Sequence, residues 1–318
     1  MEIAEAYTLV LLTGLLILFF SVLPASSEVF PTTANLQLIV ADQSVNLVIA
    51  LAVLVPLVTG VWDFTPGATM GLASVAAASV ASSSGSILLC VIVAMAIGLA
   101  IGLANGVLVV GLRINSVIAT LGMTVIIAGV VLLISGGTPV TEGIPPGITS
   151  FGRSKLVEIP VVALVALGIA GVVYYVLSHT PYGRYLYSVG SNRLAATLVG
   201  LRVGALTLST YVVGGALSGF AGILQLSRSG SGNPSIGPEF TLPAYAAVFL
   251  GAIAIRPGRW NVGGVIVAIF FLACLNSGLQ LAGAGPDVNE LANGAALLIG
   301  VGTANFVGRR RGRAIEMS

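Results

Sequence analysis

Between Asp63 and Arg113 the chain runs for 49 residues, 64–112, without a charge: FTPGATMGLASVAAASVASSSGSILLCVIVAMAIGLAIGLANGVLVVGL. A soluble helix or strand turns one face to water and marks it with charge, so no soluble element keeps every face neutral for that distance. A membrane span of about 20 apolar residues does. The stretch holds two such spans, and Ser82-Ser83-Ser84-Gly85 supplies the turn between them. It therefore divides into a helix over 66–81 and a second over 87–111.

The same punctuation organises the rest. Uncharged runs at 43–62, 114–141, 159–178, 203–227, 240–255, 260–286 and 291–308 each fit one helix, and the apolar run 7–24 adds a first. The fold class expected is an all-α polytopic membrane protein of about ten transmembrane helices. Composition agrees: of 318 residues 57% are apolar and 8% charged, against about 25% charged in a soluble domain, and mean hydropathy is +1.07. The 41 glycines suit helices that approach closely. Run 7–24 follows Glu2 and Glu5 rather than basic residues and is too long for a signal sequence, so it reads as a retained span. Run 240–255, short and containing Pro243, and the segment around Asp63 are where a broken or re-entrant helix is expected.

Basic residues fix the orientation, because cytoplasmic loops retain arginine and lysine. With the N-terminus inside, the inner loops hold Arg113, Arg184, Arg193, Arg202, Arg256, Arg259, Arg309, Arg310, Arg311 and Arg313, and the outer loops hold only Arg153, Lys155 and Arg228. Both termini are then cytoplasmic, the last as a basic tail at 308–318.

Several function classes drop out. A net charge of +2 with a single lysine leaves no cationic surface for nucleic acid. That lysine sits in Arg153-Ser154-Lys155-Leu156, so no phosphate-binding loop of the Gly-x-x-x-x-Gly-Lys-Ser/Thr kind exists, and any ATPase is another chain. Proton or sodium coupling calls for ionisable groups within spans, yet the one histidine, His179, lies at a span end and only Asp63 falls inside. Serines and aspartates read as turns and caps rather than an intramembrane protease, and no histidine–cysteine cluster offers a metal site. Cys90 and Cys274 lie in apolar stretches and read as packing residues. A transporter subunit or channel remains, not an enzyme.

Three segments carry more. In HTPYGRYLYSVGSNRLAATLVGLRVG, 179–204, Ser191 can cap a two-to-three-turn helix with Leu194, Ala195, Leu198 and Val199 near i, i+4 spacing, and Gly200 can supply its left-handed stop. So short a helix must rest on the membrane surface, on its own spans or in a partner's groove. In GVWDFTPG, 60–67, Asp63 or Thr65 can cap a helix starting at Pro66. Such a helix start is either an interfacial cap or, facing a cavity, a binding point for polar solute groups. SRSGSGNPSIGPE, 227–239, reads as a flexible outer loop, a connector or a contact for a soluble partner.

Residues 180–192, TPYGRYLYSVGSN, with Ala195-Ala196 and Gly200-Leu201-Arg202-Val203, resemble the cytoplasmic loop of ribose-type sugar permeases of bacterial ABC importers. Asp42-Gln43-Ser44, residues 60–67, Ile118-Ala119-Thr120-Leu121-Gly122-Met123, Val248-Phe249-Leu250-Gly251 and Leu275-Asn276-Ser277-Gly278-Leu279 agree in order, so the likeness covers about 36–310. It implies a type II ABC importer permease fold with one transmembrane domain over 1–318. It also implies a second permease subunit, identical or not, two cytoplasmic ATPase domains that bind ATP and magnesium, and an extracytoplasmic sugar-binding protein. This chain would carry no cofactor and would sit in the bacterial plasma (inner) membrane.

By the same resemblance, loop 179–204 couples to the ATPase through Arg184, Ser191, Asn192, Leu194, Ala195, Ala196, Leu198 and Gly200, and residues 60–67 line or gate the path. Uncharged polar residues in the spans, Asn46, Asn105, Asn276 and Gln280, join Asp63 and Thr65 as candidate path residues for a neutral monosaccharide or polyol; each also reads as interhelical glue. The alternatives are the related permease of a branched-chain amino-acid importer and an ATP-independent channel or facilitator. Trp62 to Pro66, Leu242-Pro243-Ala244 and Gly251-Ala252 depart from the family's pattern and bear on which sugar is carried.

Overall fold

The computed structural model describes residues 2–310, and among them are thirteen α-helices and one short hairpin. They are α1 (Glu2–Val22), α2 (Thr33–Val58), α3 (Pro66–Ser84), α4 (Ile87–Gly106), α5 (Ser116–Ser135), α6 (Pro146–Arg153), β1 (Lys155–Leu156), β2 (Ile159–Pro160), α7 (Val161–His179), α8 (Pro181–Ser191), α9 (Arg193–Leu198), α10 (Val203–Ser229), α11 (Thr241–Gly251), α12 (Val262–Leu281) and α13 (Pro286–Arg310). Of the expected basic tail, residues 311–318 lie outside the described residues.

Local chemistry places the ends. Side chains of Thr32, Ser86, Asn115 and Asn261 accept backbone N–H bonds at the starts of α2, α4, α5 and α12. Gly85, Gly136 and Gly230, all left-handed, stop α3, α5 and α10. The 49-residue run divides where its serines and glycine do, and α4 continues as one π turn over Val107–Gly111.

Among the described residues six helices are long and apolar enough to cross a membrane: α2, α4 with its π turn, α5, α7, α10 and α12. The other four expected runs also hold helices, α1, α3, α11 and α13, without meeting the same standard of length and hydropathy. Leu88, Val125 and Leu133 point outward at 70, 73 and 83% exposure, a surface suited to lipid and not to water. At the centre, every residue from Val48 to Leu54 is wholly buried; a helix apolar on all sides is one packed on all sides.

α10 packs along α4 through a seam of small residues. Ala94, Gly98 and Gly102 face Tyr211, Gly215 and Gly219 so closely that a Cβ on Gly98 would strike the Gly215 carbonyl, and the reverse.

The expected flexible outer loop is instead packed into the bundle. Gly232 and Val140 exchange backbone bonds of 2.9 Å each, and Gly232 lies against Val75 and Ala78 of α3. Further on, the backbone of Ile236 and Gly237 lies against Gly71 and Gly67, where any Cβ would collide. The chain thus descends alongside α3, and α11 begins level with Gly67. That is why run 240–255 yields a half-helix of 11 residues: the rest of the crossing, 230–240, is turn, bend and one 3-10 turn at Pro238–Phe240. At one end of the bundle α6 and the hairpin form a cap in which Lys155 and Glu158 both bond Gln37, and Arg228 of α10 pairs with Asp42 of α2.

Candidate functional site

α2 ends at Val58, Gly60 turns left-handed (φ 78°), and residues 61–65 run outside any regular element to Pro66. Alternation along them separates two faces. Trp62 and Phe64 stack at 5.8 Å with planes 2° apart, and the Tyr245 ring lies 5.4 Å from the first and 4.9 Å from the second. Asp63 and Thr65 are buried at 1 and 2% exposure. Asp63 Oδ1 accepts from the Thr65 amide (3.0 Å), the Thr65 hydroxyl (2.6 Å) and Asn105 Nδ2 (3.5 Å). Asn105 Nδ2 also donates to Thr65 Oγ1 at 2.9 Å.

The expected side-chain cap on α3 is therefore corrected. Thr65 has helical backbone angles and makes no capping bond, Pro66 offers no N–H, and Asp63 closes a turn on Thr65 instead.

Backbone groups of the break are satisfied from three other helices. Trp62 N donates to Ser116 Oγ (3.3 Å) and its carbonyl accepts from Tyr211 OH (2.9 Å). Asp63 N donates to Tyr245 OH (3.1 Å) and its carbonyl accepts from the same hydroxyl (2.8 Å), while the Phe64 carbonyl accepts from Thr124 Oγ1 (3.2 Å). Non-helical backbone survives at membrane depth only with such partners. The sequence reading passed over Ser116, Thr124, Tyr211 and Tyr245; their one signal is a hydroxyl in an apolar run, and many hydroxyls there bond only their own helix.

Asn105 Oδ1 and Thr69 Oγ1 are buried with no partner in the chain. Around one carboxylate the cluster is otherwise hydroxyl and amide, chemistry that matches alcohol groups and offers no cation.

The six candidate path residues do not all converge. Asp63, Thr65 and Asn105 form one cluster. Asn46 instead bonds Gln43 within α2 (2.9 Å), Asn276 bonds Asn293 between α12 and α13 (3.1 Å), and Gln280 is exposed near the end of α12. A hollow of about 600 Å³ between α7 and α10 is lined by apolar side chains such as Met95, Ile169, Val213 and Phe220. It shares no residue with the cluster and offers nothing to a hydroxyl group.

At the end of the bundle expected to be cytoplasmic, Thr180 caps α8, a helix the sequence reading did not expect. Ser191 ends that helix rather than capping the next. Asn192, in extended conformation, takes the cap by accepting the Ala195 amide at 2.8 Å. α9 is correspondingly shorter than expected, six residues, with Gly200 left-handed beyond it. Ala196 is buried against the protein and Arg193 Nη2 bonds Thr207 Oγ1 (2.9 Å), fastening α9 to α10. Leu194, Leu198 and Val199 face away at 72, 80 and 75% exposure, and Arg184 and Ala195 are exposed beside them.

α8 is tied inward by Tyr187, whose hydroxyl donates to the Trp260 carbonyl at 2.6 Å, and by Gly190, packed on the Val58 carbonyl. Burial pushes the Tyr182 and Tyr187 phenols up, for Tyr187 against the opposing pull of Arg259, so both stay protonated donors near neutral pH.

The family described as branched-chain amino acid transport system / permease component matches residues 35–301. The ribose import permease protein RbsC of Bacillus subtilis (strain 168) is 34% identical over 289 residues, 90% of this chain and 88% of the relative. The galactose/methyl galactoside import permease protein MglC of Escherichia coli (strain K12) is 28% identical over 308 residues, 90% of each chain. The autoinducer 2 import system permease protein LsrC of Enterobacter sp. (strain 638) is 29% identical over 262 residues, 82% of this chain and 76% of the relative. No solved structure matches the chain.

Proposed function

The chain belongs to the ribose-type sugar importer permeases, within the family described as branched-chain amino acid transport system / permease component, and from that membership we propose its role. It is the membrane-spanning subunit of an ATP-driven importer that carries a neutral monosaccharide or polyol inward, with both termini cytoplasmic.

One observation carries the ATP-driven part of this reading. α9 is capped, fastened to α10 and turned so that Leu194, Leu198 and Val199 are bare. Three exposed aliphatic side chains on a helix too short to stand alone suit a groove in a cytoplasmic ATPase, which would hold the ATP and magnesium. The cargo class is supported by relatives named for ribose, galactosides and autoinducer 2. It is supported further by Asp63 being the only buried charged side chain among the described residues, which favours a neutral solute. A second permease subunit and a sugar-binding protein on the outer cap complete the assembly.

Uptake of radiolabelled ribose into vesicles tests the reading, with binding protein outside and ATP inside. ATP-dependent uptake is expected, and Leu198→Glu, which drives a charge into an apolar contact at a cost of several kcal/mol, should lose both the co-purifying ATPase and uptake at unchanged membrane abundance. Uptake that ignores ATP, with an unaffected Leu198→Glu chain, would make the protein a facilitator.

A further inference from the structure

α8 lies at the cytoplasmic end and the break at 59–65 lies deeper, yet side chains join them without a gap. The Tyr187 hydroxyl holds the Trp260 carbonyl at 2.6 Å, and the Arg259 guanidinium sits 3.8 Å over the Tyr187 ring. The Trp260 ring meets Phe249 edge-on at 5.2 Å, Phe249 lies 5.8 Å from Trp62, and Trp62 lies 5.4 Å from Tyr245, the residue bonded to Asp63. Arg259 is exposed at the near end, and the rings of Tyr187, Trp260, Phe249, Trp62 and Tyr245 are all buried or half-buried.

The turn at 252–261 that carries Trp260 is not slack. Asn261 Nδ2 donates to the carbonyls of Gly251, Ala254 and Arg259 at 3.2, 3.1 and 3.0 Å, and Asn261 Oδ1 accepts the Gly264 amide at 2.6 Å. Turn and half-helix α11 therefore move as one body. Its inner end is held by Tyr187 through Trp260, and its outer part holds the break through Tyr245. α8 also meets the end of α2 at Gly190 and Val58, a close backbone approach, whereas the Tyr187 hydroxyl gives α8 a directed bond to the turn that follows α11. α11 is short, and turns and one 3-10 turn, with no α-helix, lead into it.

We infer that Tyr187 is a positioning residue for transport: its bond to the Trp260 carbonyl is the hold by which α8 moves α11 and, through Phe249 and Tyr245, the Trp62–Thr65 break. This rests on the importer reading, in which an ATPase moves the cytoplasmic helices. Coupling needs an element that both sites can bias, and α11 is tied to both.

The chain has two tryptophans, Trp62 and Trp260, one at each end of the path. Labelled with fluorotryptophan and assembled with unlabelled ATPase and binding protein, it gives fluorine resonances for these two sites alone. A non-hydrolysable ATP analogue should shift both in the wild type. Tyr187→Phe keeps the ring and its contact with Arg259 but loses the bond. It should retain the ATPase while both shifts, and ribose uptake per ATP hydrolysed, fall about fivefold or more. Phe249→Leu, between the tryptophans, should leave the Trp260 shift and abolish that of Trp62. Tyr175→Phe, exposed and off the path, should respond as wild type.

Wild-type shifts in both Tyr187→Phe and Phe249→Leu would overturn the linkage alone. A wild-type chain that co-purifies with no ATPase would overturn the importer reading, and the linkage with it.

Discussion

One hydroxyl, that of Tyr245, donates to the carbonyl oxygen of Asp63 at 2.8 Å and accepts from its amide at 3.1 Å, so both backbone groups of Asp63 depend on a side chain from another helix. Tyr245→Phe removes both partners at a buried position. Each orphaned group costs roughly 1–3 kcal/mol, so the half-unfolding temperature of the purified protein should drop. Tyr211→Phe, which orphans only the Trp62 carbonyl, should lower it less. Equal or absent effects would contradict the hydrogen-bond assignment.

Asp63 is argued to serve transport and not only the local turn. Asp63→Asn keeps an oxygen for the Thr65 amide and hydroxyl, so stability should change by at most about 1 kcal/mol. Uptake normalised to membrane abundance should still fall by about tenfold or more, equivalent to roughly 1.4 kcal/mol in the barrier. Asp63→Ala should lose uptake and stability together. Wild-type uptake by the Asn variant would reduce this carboxylate to a structural role.

The α4–α10 seam gives a paired test. Gly98→Ala places a methyl into the Gly215 carbonyl and should destabilise by about 1–3 kcal/mol, as overpacking does. Gly129→Ala, on α5 with nothing within 4 Å of the added carbon, should be neutral or stabilise by about 0.5–1 kcal/mol. Thermal unfolding of the two variants side by side reads the difference.

Orientation is open to labelling in intact cells. A cysteine at Lys155, on the exposed hairpin, should react with an impermeant thiol reagent from outside, and one at Arg193 should not. Cys90 and Cys274 are buried and add no background. Reaction at 193 would overturn the arrangement of spans.

The parts of this fold that local chemistry decides are legible in the chain, and those decided across the bundle are not. Ser82 to Gly85 announce a turn because a left-handed glycine after serines is a local event. α8 stays hidden because Gly183 and Gly190 weaken its helical signal; they are there for close packing on the Leu177 and Val58 carbonyls. With α8 unseen, Ser191 looks like a cap, although the helix running through it hands that role to Asn192.

Pro243 marks an interrupted crossing, but it sits in the first turn of α11, where proline is tolerated, and the interruption itself lies at 230–240. Asp63 stands out as a lone acid in apolar surroundings. Its partner Asn105, 42 residues away, is one of several span amides, and nothing local separates it from Asn46 or Asn276.

The irregular descent of 230–240 beside α3 has a consequence for insulation. Of the crossing from 230 to 251, only the 11 residues of α11 are α-helical; 231–240 is turn, bend and one 3-10 turn. At 1.5 Å per residue they cover about 16 Å of a hydrocarbon layer about 30 Å deep. The outer half is kept shut by neighbours, chiefly the glycine face of α3 at Gly67 and Gly71. Parting α3 from that irregular segment would bare polar backbone and leave the helical plug of α11 intact, so the two halves of the barrier can fail separately.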